Sequence, residues 1–240
     1  MALLLTGGSG LLGQKLTQFL PNFLSPTHET LDITDKNMIS KYIEENNVDK
    51  IIHTAAITSI RKCDDDKTLA WSVNVEGTQN LLSVLKEHTK NGYFAYVSTP
   101  CVFRGDDKMY NEQSIPDPVN FYGFTKSVGE NIVKTFNNSL IVRTNFVAKK
   151  SWPYEKAFTD RFGNYLFSDD VAQIFSQLLS SKITGIRHIV GNQILSMYDL
   201  AKLTTPNIQS MTMNEYVGPH LTKNMTMDST YLNKYKISSI

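Results

Sequence analysis

Residues 6–13, with the sequence TGGSGLLG, decide the fold that this chain predicts. They follow an apolar strand pattern at residues 2–6 and precede a helical pattern, so they join a strand to a helix. Within them, Gly7, Gly10 and Gly13 stand three residues apart. Gly7 permits the turn out of the strand, Gly10 lets the backbone approach a diphosphate, and Gly13 lets the helix pack close to the sheet. The loop therefore has the pattern of a dinucleotide-binding turn.

The helix that follows this loop supplies the partial charge that phosphates require. Its first backbone N–H groups are free of intrahelical partners and carry a partial positive charge. The same glycines are also compatible with an ordinary strand–turn–helix, in which they only permit the backbone geometry of the turn and bind no ligand. Because the loop opens the chain and further α/β units follow it, we favour a dinucleotide site.

Short apolar runs alternate with helical patterns along the rest of the chain. This order predicts an α/β fold, a Rossmann-type doubly wound parallel sheet covered by helices on both faces. The further predicted strands are 22–25, 50–54, 93–98, 140–143 and 187–190, and the predicted helices are 11–20, 37–46, 68–88, 120–136 and 169–179.

The remaining segments are irregular and rich in aromatic and polar residues. We predict a dinucleotide-binding domain of residues 1–147, with 165–203 completing the sheet and its helices. Residues 148–164 and 204–240 are expected to form a small C-terminal substrate cap over the carboxyl edge of the sheet.

The composition excludes several classes of partner. Lysine and arginine number 24 against 23 aspartates and glutamates, so no net field attracts nucleic acid or an anionic membrane. Cys63 and Cys101 are too few for a disulfide framework. No apolar run approaches the roughly 20 residues of a membrane span, and the N-terminal run lacks the charged flank of a signal peptide. We expect a cytoplasmic protein without nucleic-acid or membrane partners.

A second candidate element is the sequence DITD at residues 32–35. The carboxylate of Asp32 can accept a hydrogen bond from an adenine amino group. Thr34 or Asp35 can instead cap the next helix, since a side-chain oxygen just before a helix accepts from its first N–H groups. Both roles can hold together.

Residues 120–130, NFYGFTKSVGE, suggest the chemistry. Tyr122 and Lys126 are four residues apart and share one helix face. A nearby ammonium would lower the pKa of the phenol from its usual value near 10 and fit it for proton transfer; the two could also be an ordinary helical pair. Thr99 follows a predicted strand at the edge where ligands collect, and its hydroxyl can donate to a carbonyl or cap a turn.

Taken in order, seven segments resemble the extended short-chain dehydrogenase/reductases: TGGSGLLG, LDITD, IIHTAAIT, VNVEGTQNL, VSTPCVF, PVNFYGFTKSVGE and IVRTNFV. Within that superfamily the chain is most similar to the dTDP-4-dehydrorhamnose reductase group of nucleotide-sugar enzymes. The likeness covers residues 1–147 and extends more weakly to residue 203. It implies an NAD(P)H-dependent reductase of a nucleotide-linked 4-keto-6-deoxy sugar, working in deoxysugar or polysaccharide biosynthesis.

The resemblance also implies roles for individual residues. Tyr122 would protonate the substrate carbonyl, Lys126 would hold the nicotinamide ribose, and Thr99 would polarise the carbonyl. Asn74 would hydrogen-bond backbone beside the site. The implied cofactor contacts are Gly7, Ser9, Gly10, Leu11, Leu12, Gly13, Asp32, Ile33, Ala55, Ala56, Thr58, Tyr122 and Lys126, with no metal. In this superfamily, subunits commonly pair through the helices that correspond to residues 68–88 and 120–136. The resemblance therefore also implies a homodimer.

Two departures from the family pattern bear on the reaction and the cofactor. Members that dehydrate the sugar carry an acidic pair after the catalytic threonine, where this chain has Pro100 and Cys101, so we exclude a dehydratase. Cys101 is expected to be a small buried apolar residue. Ser25, Thr27 and His28 lie at the end of the second strand, where an NAD-selective site would have an acidic residue, which favours NADPH with NADH also accepted.

Two points stay open at this stage. Arg61 and Lys62 either assist cofactor binding or are solvated surface charges. The aromatic residues Trp152, Tyr154, Phe158 and Phe162 either stack on a substrate or form the core of the cap.

Two alternative functions also remain. One is an NAD-dependent nucleotide-sugar epimerase that uses the same tyrosine and lysine. The other is a non-catalytic dinucleotide-binding regulatory subunit, suggested by the short segment of about twenty residues between Val147 and Ser168.

Overall fold

Strands and helices alternate along most of the chain, as the apolar pattern predicts. The computed structural model describes residues 2–106 and 109–239. The strands are β1 (Ala2–Thr6), β2 (Phe23–Leu24), β3 (Val48–His53), β4 (Tyr93–Ser98), β5 (Ser139–Thr144), β6 (Phe146–Val147), β7 (Lys156–Phe158), β8 (Phe162–Gly163), β9 (Leu166–Phe167), β10 (Gly185–Ile189), β11 (Leu195–Ser196), β12 (Gln209–Met211) and β13 (Asn224–Met225). The α-helices are α1 (Leu11–Leu16), α2 (Lys36–Asn46), α3 (Ile60–Asp65), α4 (Lys67–Trp71), α5 (Gly77–His88), α6 (Phe121–Lys134), α7 (Ser168–Ser180) and α8 (Met197–Lys202).

In this described part of the chain, the main sheet has six strands in the order β10-β5-β4-β3-β1-β2. All neighbouring strands in it are parallel. Successive side chains of a strand face opposite sides of a sheet. Accordingly, Leu4 packs with Ile39 and Leu81 on one face, and Leu5 packs with Leu16 and Phe175 on the other. Helices therefore cover both faces, which confirms the predicted doubly wound α/β fold.

The carboxyl ends of these parallel strands lie at one edge of the sheet. The strands β1, β3, β4 and β5 end there at Thr6, His53, Ser98 and Thr144. Ligands of open α/β sheets bind outside this edge. The glycine loop, the Ala55 segment and Thr99 all follow these strand ends.

Two predicted helices differ from those of the structure. The helix predicted over 11–20 ends at Leu16, where tighter bonds such as Phe19 N to Leu16 O replace the α-helical pattern ahead of Pro21. The helix predicted over 68–88 is divided into α4 and α5 by a π-helical turn, Ser72–Glu76. That turn carries the buried Asn74.

The segments predicted as a cap contain short paired strands. β7 pairs with β12, and β8 pairs with both β11 and β13. Because β11 lies within residues 165–203, the two predicted regions are joined by strand pairing. The division into a dinucleotide domain and a cap stays a prediction. None of the helices in residues 2–106 and 109–239 combines the length and apolar composition needed to cross a membrane.

Candidate active site

The glycine loop has the geometry expected of a tight, close-packed turn. Gly7 has a φ of 75°, a conformation that side chains disfavour, and a Cβ there would lie 2.5 Å from the backbone N of Ala55. A Cβ on Gly13 would collide with the Gly7 carbonyl, so α1 lies directly against the loop. Gly10 differs, because a Cβ there would have only the Gly7 carbonyl oxygen nearby, at 3.2 Å. Its flank is open.

Two cavities lie on either side of this loop. The first, which we call the Asp32 cavity, has a volume of about 310 Å³, and its lining includes Gly7, Ser9, Gly10, Asp32, Ile33, Ala55 and Ala56. The second, the Tyr122 cavity, has a volume of about 350 Å³, and its lining includes Gly7, Gly10, Leu11, Leu12, Gly13, Ala56, Thr58, Thr99, Tyr122 and Lys126. The two share Gly7, Gly10, Thr54 and Ala56, so they adjoin across the loop. Every residue predicted for the site lines one or both of them.

The position of Tyr122 follows from the start of α6. The Asn120 side chain caps this helix by accepting a hydrogen bond from Gly123 N at 2.9 Å. A side chain at Gly123 would collide with the carbonyl of Cys101, so the helix start packs against the turn Pro100–Val102. This packing places the Thr99 hydroxyl beside the Tyr122 phenol.

Thr99 caps a turn, which is one of the two roles considered for it, and its donation to a carbonyl stays a prediction. Its Oγ1 accepts a hydrogen bond from Cys101 N at 3.2 Å, which caps the short turn, while the same hydroxyl meets the phenol. Cys101 is a buried free thiol, as predicted.

The prediction that Lys126 lowers the pKa of Tyr122 is wrong for this structure. Burial raises the pKa of the phenol well above its ordinary value, the Cys101 thiol raises it further, and the contact with Thr99 opposes them. Tyr122 is 9% exposed, so the cost of placing a negative charge in an apolar setting dominates. At neutral pH the phenol therefore carries its proton.

Lys126 is directed towards a different tyrosine. Its Nζ lies 3.9 Å from the centroid of the Tyr96 ring, a cation–π contact. Burial lowers the pKa of Lys126 to about 7, against the opposing charge of Glu130. A lysine side chain that is only partly protonated near neutral pH has a weak electrostatic effect on its neighbours. This explains why Lys126 does not lower the pKa of the Tyr122 phenol.

Asn74 has the backbone-bonding role that was predicted for it. Its Oδ1 accepts from Ile57 N at 2.8 Å, and its Nδ2 donates to Ile57 O at 3.0 Å. The same Nδ2 lies 3.0 Å from the Thr125 hydroxyl of α6. Asn74 therefore joins the loop after β3 to the helix that carries Tyr122 and Lys126.

The Asp32 cavity contains a carboxylate held by its own loop. Asp32 Oδ1 accepts from Thr34 N at 2.9 Å and from Thr34 Oγ1 at 2.8 Å. Burial opposes ionisation, but these bonds and the charge of His28 hold the pKa of Asp32 below its usual value. Asp35 caps α2 by accepting from Asn37 N and Met38 N, which is the capping role considered for it. The contact of Asp32 with an adenine amino group stays a prediction.

Arg61 and Lys62 do not line the Asp32 cavity, and a part for them in cofactor binding stays a prediction. His28 does line that cavity. The Arg61 guanidinium donates to Val217 O at 3.0 Å and lines a third cavity. Lys62 is exposed on α3 and lines none of the three.

This third cavity, the cap cavity, is the largest, with a volume of about 970 Å³. It shares Thr58 with the Tyr122 cavity, so the two cavities adjoin. Trp152, Tyr154 and Phe158 line it, whereas Phe162 does not. Three of the four candidate aromatic residues are thus available to a ligand.

Sequence reasoning missed the contribution of the segment after β5. Thr144, Asn145 and Phe146 line the Tyr122 cavity. The Thr144 Oγ1 is buried without a hydrogen-bond partner among the described residues. The available signal was their position, because they follow the apolar run of a parallel strand at its carboxyl end.

The parallel sheet, the glycine loop and the Thr99–Tyr122–Lys126 cluster define a Rossmann-type protein of the extended short-chain dehydrogenase/reductase class. Comparison with known families makes this specific. The chain belongs to the family described as RmlD substrate binding domain, whose model matches residues 1–159. The resemblance inferred from the sequence motifs is confirmed.

Individual relatives in this family have different roles. A dTDP-4-dehydrorhamnose reductase of Aggregatibacter actinomycetemcomitans is 32% identical over 83% of this chain and 76% of its own length. The methionine adenosyltransferase 2 subunit beta of Xenopus laevis is 30% identical over 82% of this chain and 69% of its own length. A solved dTDP-4-dehydrorhamnose reductase from Clostridium acetobutylicum, 25% identical, superposes with a TM-score of 0.86 over 95% of this chain and 90% of that one.

Proposed function

We propose that this protein is an NADPH-dependent reductase of a nucleotide-linked 4-keto-6-deoxy sugar. The observation that carries the proposal is that Thr99, Tyr122 and Lys126 line one cavity together with the glycine loop. The names of the bacterial reductases that it resembles give the substrate class. The reaction is the reduction of a sugar ketone to an alcohol.

The two cavities beside the glycine loop fit a nicotinamide dinucleotide. The open flank of Gly10, without a side chain, leaves room for a diphosphate against the backbone. Asp32 and Ile33 would hold the adenosine end, and Tyr122 and Lys126 the nicotinamide end. When bound, the coenzyme supplies a hydride to the carbonyl carbon. NADPH is preferred because the residues directly after β2, including Thr27 and His28, carry no carboxylate, and NADH is also accepted.

Tyr122 supplies the proton for this reduction. Its raised pKa keeps the phenol protonated at neutral pH, which is the form a proton donor needs. The alkoxide that forms at the carbonyl oxygen is a far stronger base than a phenolate, so transfer is downhill even from a high-pKa phenol. The phenol contacts the Thr99 hydroxyl, which would also donate to the carbonyl oxygen.

Lys126 provides positive charge in the lining of the same cavity. Its pKa of about 7 leaves it able to change protonation near neutral pH, and its ammonium is held over the Tyr96 ring. The protonated form would hydrogen-bond the nicotinamide ribose and stabilise the phenolate left on Tyr122 after proton transfer. A neutral lysine could still donate a hydrogen bond to the ribose but would not supply the charge that stabilises the phenolate.

The decisive experiment is to mix the purified protein with NADPH and dTDP-4-keto-6-deoxy sugars and follow the nicotinamide absorbance. We expect coenzyme to be consumed in proportion to substrate, with alcohol as the product. Failure across a panel of nucleotide keto-sugars, in protein shown to bind NADPH, would contradict the proposal. An epimerase would instead convert sugar with no net coenzyme consumption.

A non-catalytic regulatory subunit is the second candidate. The similarity to the methionine adenosyltransferase 2 subunit beta favours it, since that relative is named as a subunit of another enzyme. The complete Thr99–Tyr122–Lys126 cluster favours the reductase over this second candidate. Binding of NADPH without turnover of any keto-sugar, together with co-purification of a larger enzyme, would support it.

A homodimer and a cytoplasmic location are further parts of the proposal. Leu69 of α4 and Phe124 of α6 are exposed apolar side chains on the helices where this superfamily pairs subunits. Sedimentation of the wild-type protein and of a Phe124→Glu variant would test the dimer. Buried free thiols at Cys63 and Cys101 are consistent with a reducing compartment.

A further inference from the structure

An aromatic ring lies against the buried amino group of Lys126. This side chain is 4% exposed, and its Nζ lies 3.9 Å from the centroid of the Tyr96 ring. Within residues 2–106 and 109–239, no carboxylate forms an ion pair with Lys126. A buried charge is costly unless a partner compensates it. The face of an aromatic ring is the negative end of its quadrupole, so the ring of Tyr96 can serve as that partner.

The other titratable groups around Lys126 compensate its charge only in part. Glu130 follows one turn later on α6 and favours the charged lysine, but both of its carboxylate oxygens are already bound by Arg143. His53 of β3 has a pKa of about 3 and is neutral at neutral pH. Tyr122 keeps its proton, because burial raises its pKa. The Tyr96 ring is therefore the contact of Lys126 that has no competing cation.

Tyr96 is fixed in place by the packing of β4 against α6. The residue lies on β4 and is fully buried. A Cβ on Gly129 would collide with the Tyr96 hydroxyl, so α6 can approach the ring only because residue 129 has no side chain. The hydroxyl itself has no hydrogen-bond partner in the described part of the chain. The ring, and not the hydroxyl, is the part of Tyr96 that contacts the lysine.

We propose that the ring of Tyr96 holds the Lys126 side chain charged and in position for the proposed reduction, which makes Tyr96 a positioning residue. This inference rests on the proposed function, because it assigns Lys126 a charged role there. A carboxylate in the same place would accept hydrogen bonds from the ammonium and occupy its donors. A ring face supports the charge and leaves the three N–H donors of Lys126 available to the ribose and to a phenolate on Tyr122.

The titration of Lys126 can be measured without any ligand. Carbon-13 NMR of protein labelled at the lysine Cε follows each lysine as the pH is raised. Exposed lysines titrate near 10.4, whereas burial lowers the pKa of Lys126 to about 7, so its signal should stand apart. Lys126→Met should remove that signal and so assign it.

Two substitutions at position 96 separate the ring from the hydroxyl. Tyr96→Phe keeps the ring face, and the pKa of Lys126 should stay within about 0.3 of the wild-type value. Tyr96→Leu removes the ring face, and the pKa of Lys126 should fall by about one pH unit. The matched control is Tyr93→Leu, which removes a buried tyrosine from the opposite face of the same strand and should leave the titration unchanged.

Fluorinated phenylalanines provide the same test if Tyr96→Leu does not fold. Fluorine changes the size of the ring little but withdraws negative charge from its face, which weakens the attraction for a cation. With one, two and three fluorines on the ring of the Tyr96→Phe protein, the pKa of Lys126 should fall stepwise.

The pH dependence of turnover connects this contact to the reaction. At pH 7, a pKa lowered from about 7 to about 6 reduces the protonated fraction of Lys126 from about one half to about one tenth. Tyr96→Leu should therefore lower kcat about fivefold at pH 7 but less than about twofold at pH 5.5, where both proteins are mostly protonated. Tyr96→Phe should keep the wild-type ratio of turnover at the two pH values. A merely structural defect would lower turnover equally at both.

Three results would overturn the inference. The first is an unchanged titration of Lys126 in Tyr96→Leu or across the fluorinated series. The second is an equal shift in Tyr96→Phe and Tyr96→Leu, which would assign the effect to the hydroxyl, and the third is a loss of turnover in Tyr96→Leu that is the same at both pH values. Failure of the proposed function is distinguishable from these. A titration that follows the ring, in a protein that reduces no keto-sugar, would remove the reductase and leave the Tyr96–Lys126 contact established, whereas reduction with a ring-independent titration would do the reverse.

Discussion

Arg143 and Glu130 form a buried bidentate salt bridge, with Arg143 Nε 2.8 Å from Glu130 Oε1 and Arg143 Nη2 2.6 Å from Glu130 Oε2. Both side chains are at most 1% exposed. Ser98 Oγ donates to the same carboxylate at 2.6 Å. Because Ser98 precedes Thr99 and Glu130 lies one turn after Lys126, this bridge links β4, β5 and α6, the elements that position the catalytic cluster.

Loss of one partner of this bridge should be strongly destabilising. Arg143→Met would leave the Glu130 carboxylate buried without its counter-charge, at an expected cost of about 3–5 kcal/mol in the free energy of unfolding. Urea denaturation of both proteins measures it. The control is Lys36→Met, which breaks the exposed Lys36–Glu87 pair and should cost less than about 1 kcal/mol. Similar losses in the two variants would show that the buried bridge has no special role.

Removal of one phenolic oxygen should separate chemistry from binding. Tyr122→Phe keeps the ring packed in its cluster but removes the proton donor, so turnover should fall by about 10²–10⁴-fold. NADPH affinity, followed by nicotinamide fluorescence, should change less than about threefold because the phenol contributes one of many contacts. Tyr231→Phe, at an exposed position, is the matched control and should keep full activity. A Tyr122→Phe enzyme with wild-type turnover would exclude this residue as the acid.

Two glycines of the same loop should respond differently to alanine. Gly10 has φ −73° and ψ 169°, which any residue adopts, so Gly10→Ala should lower the free energy of unfolding by less than about 1 kcal/mol. Its methyl group would nevertheless occupy the flank assigned to the diphosphate, and NADPH affinity should fall more than about tenfold. Titration of NADPH into folded Gly10→Ala protein measures this.

Gly7→Ala provides the contrast. The positive φ of Gly7 and its approach to Ala55 N predict a loss of at least about 2 kcal/mol in stability, whatever happens to binding. If Gly10→Ala bound NADPH normally, the loop would be a structural turn and no diphosphate site.

The fold and most of the site were predictable because their signals are local. Apolar runs and helical spacing identify the parallel strands, and the glycine loop, Thr99 and Tyr122 all fall at predicted strand or helix ends. The helix over 68–88 shows the limit of that reasoning. Its apolar spacing is continuous, yet a π-helical turn places Asn74 against Ile57, a residue from a different segment.

The errors concern properties that depend on the packing of distant segments. The four-residue spacing of Tyr122 and Lys126 cannot predict the contact between Lys126 and the ring of Tyr96, because Tyr96 lies on β4. Burial, which sets the pKa of both groups, is likewise a sum over many elements.

Two buried histidines should make the stability of the protein depend on pH. His53 Nδ1 lies 2.7 Å from Thr6 Oγ1 and its Nε2 lies 3.0 Å from Thr78 Oγ1. Burial, together with the charge of Lys126, lowers the pKa of His53 to about 3. Burial and the charge of Arg143 lower the pKa of His188 to about 4. Unfolded histidine titrates near 6.5.

Below pH 6.5 the unfolded chain therefore binds protons that the folded chain does not, and stability falls as the pH is lowered towards 4. Between about pH 7.5 and 5.5, the free energy of unfolding should drop by about 1.4 kcal/mol for each histidine, about 3 kcal/mol for the two. Lys126, whose pKa is about 7 in the folded protein, adds a smaller drop in the same direction. Urea denaturation at the two pH values measures this drop. His53→Asn should roughly halve it, even if its absolute stability is lower, whereas His220→Gln, at an exposed position, should keep the full difference. A His53→Asn protein with the wild-type pH dependence would mean that His53 is already charged in the folded state.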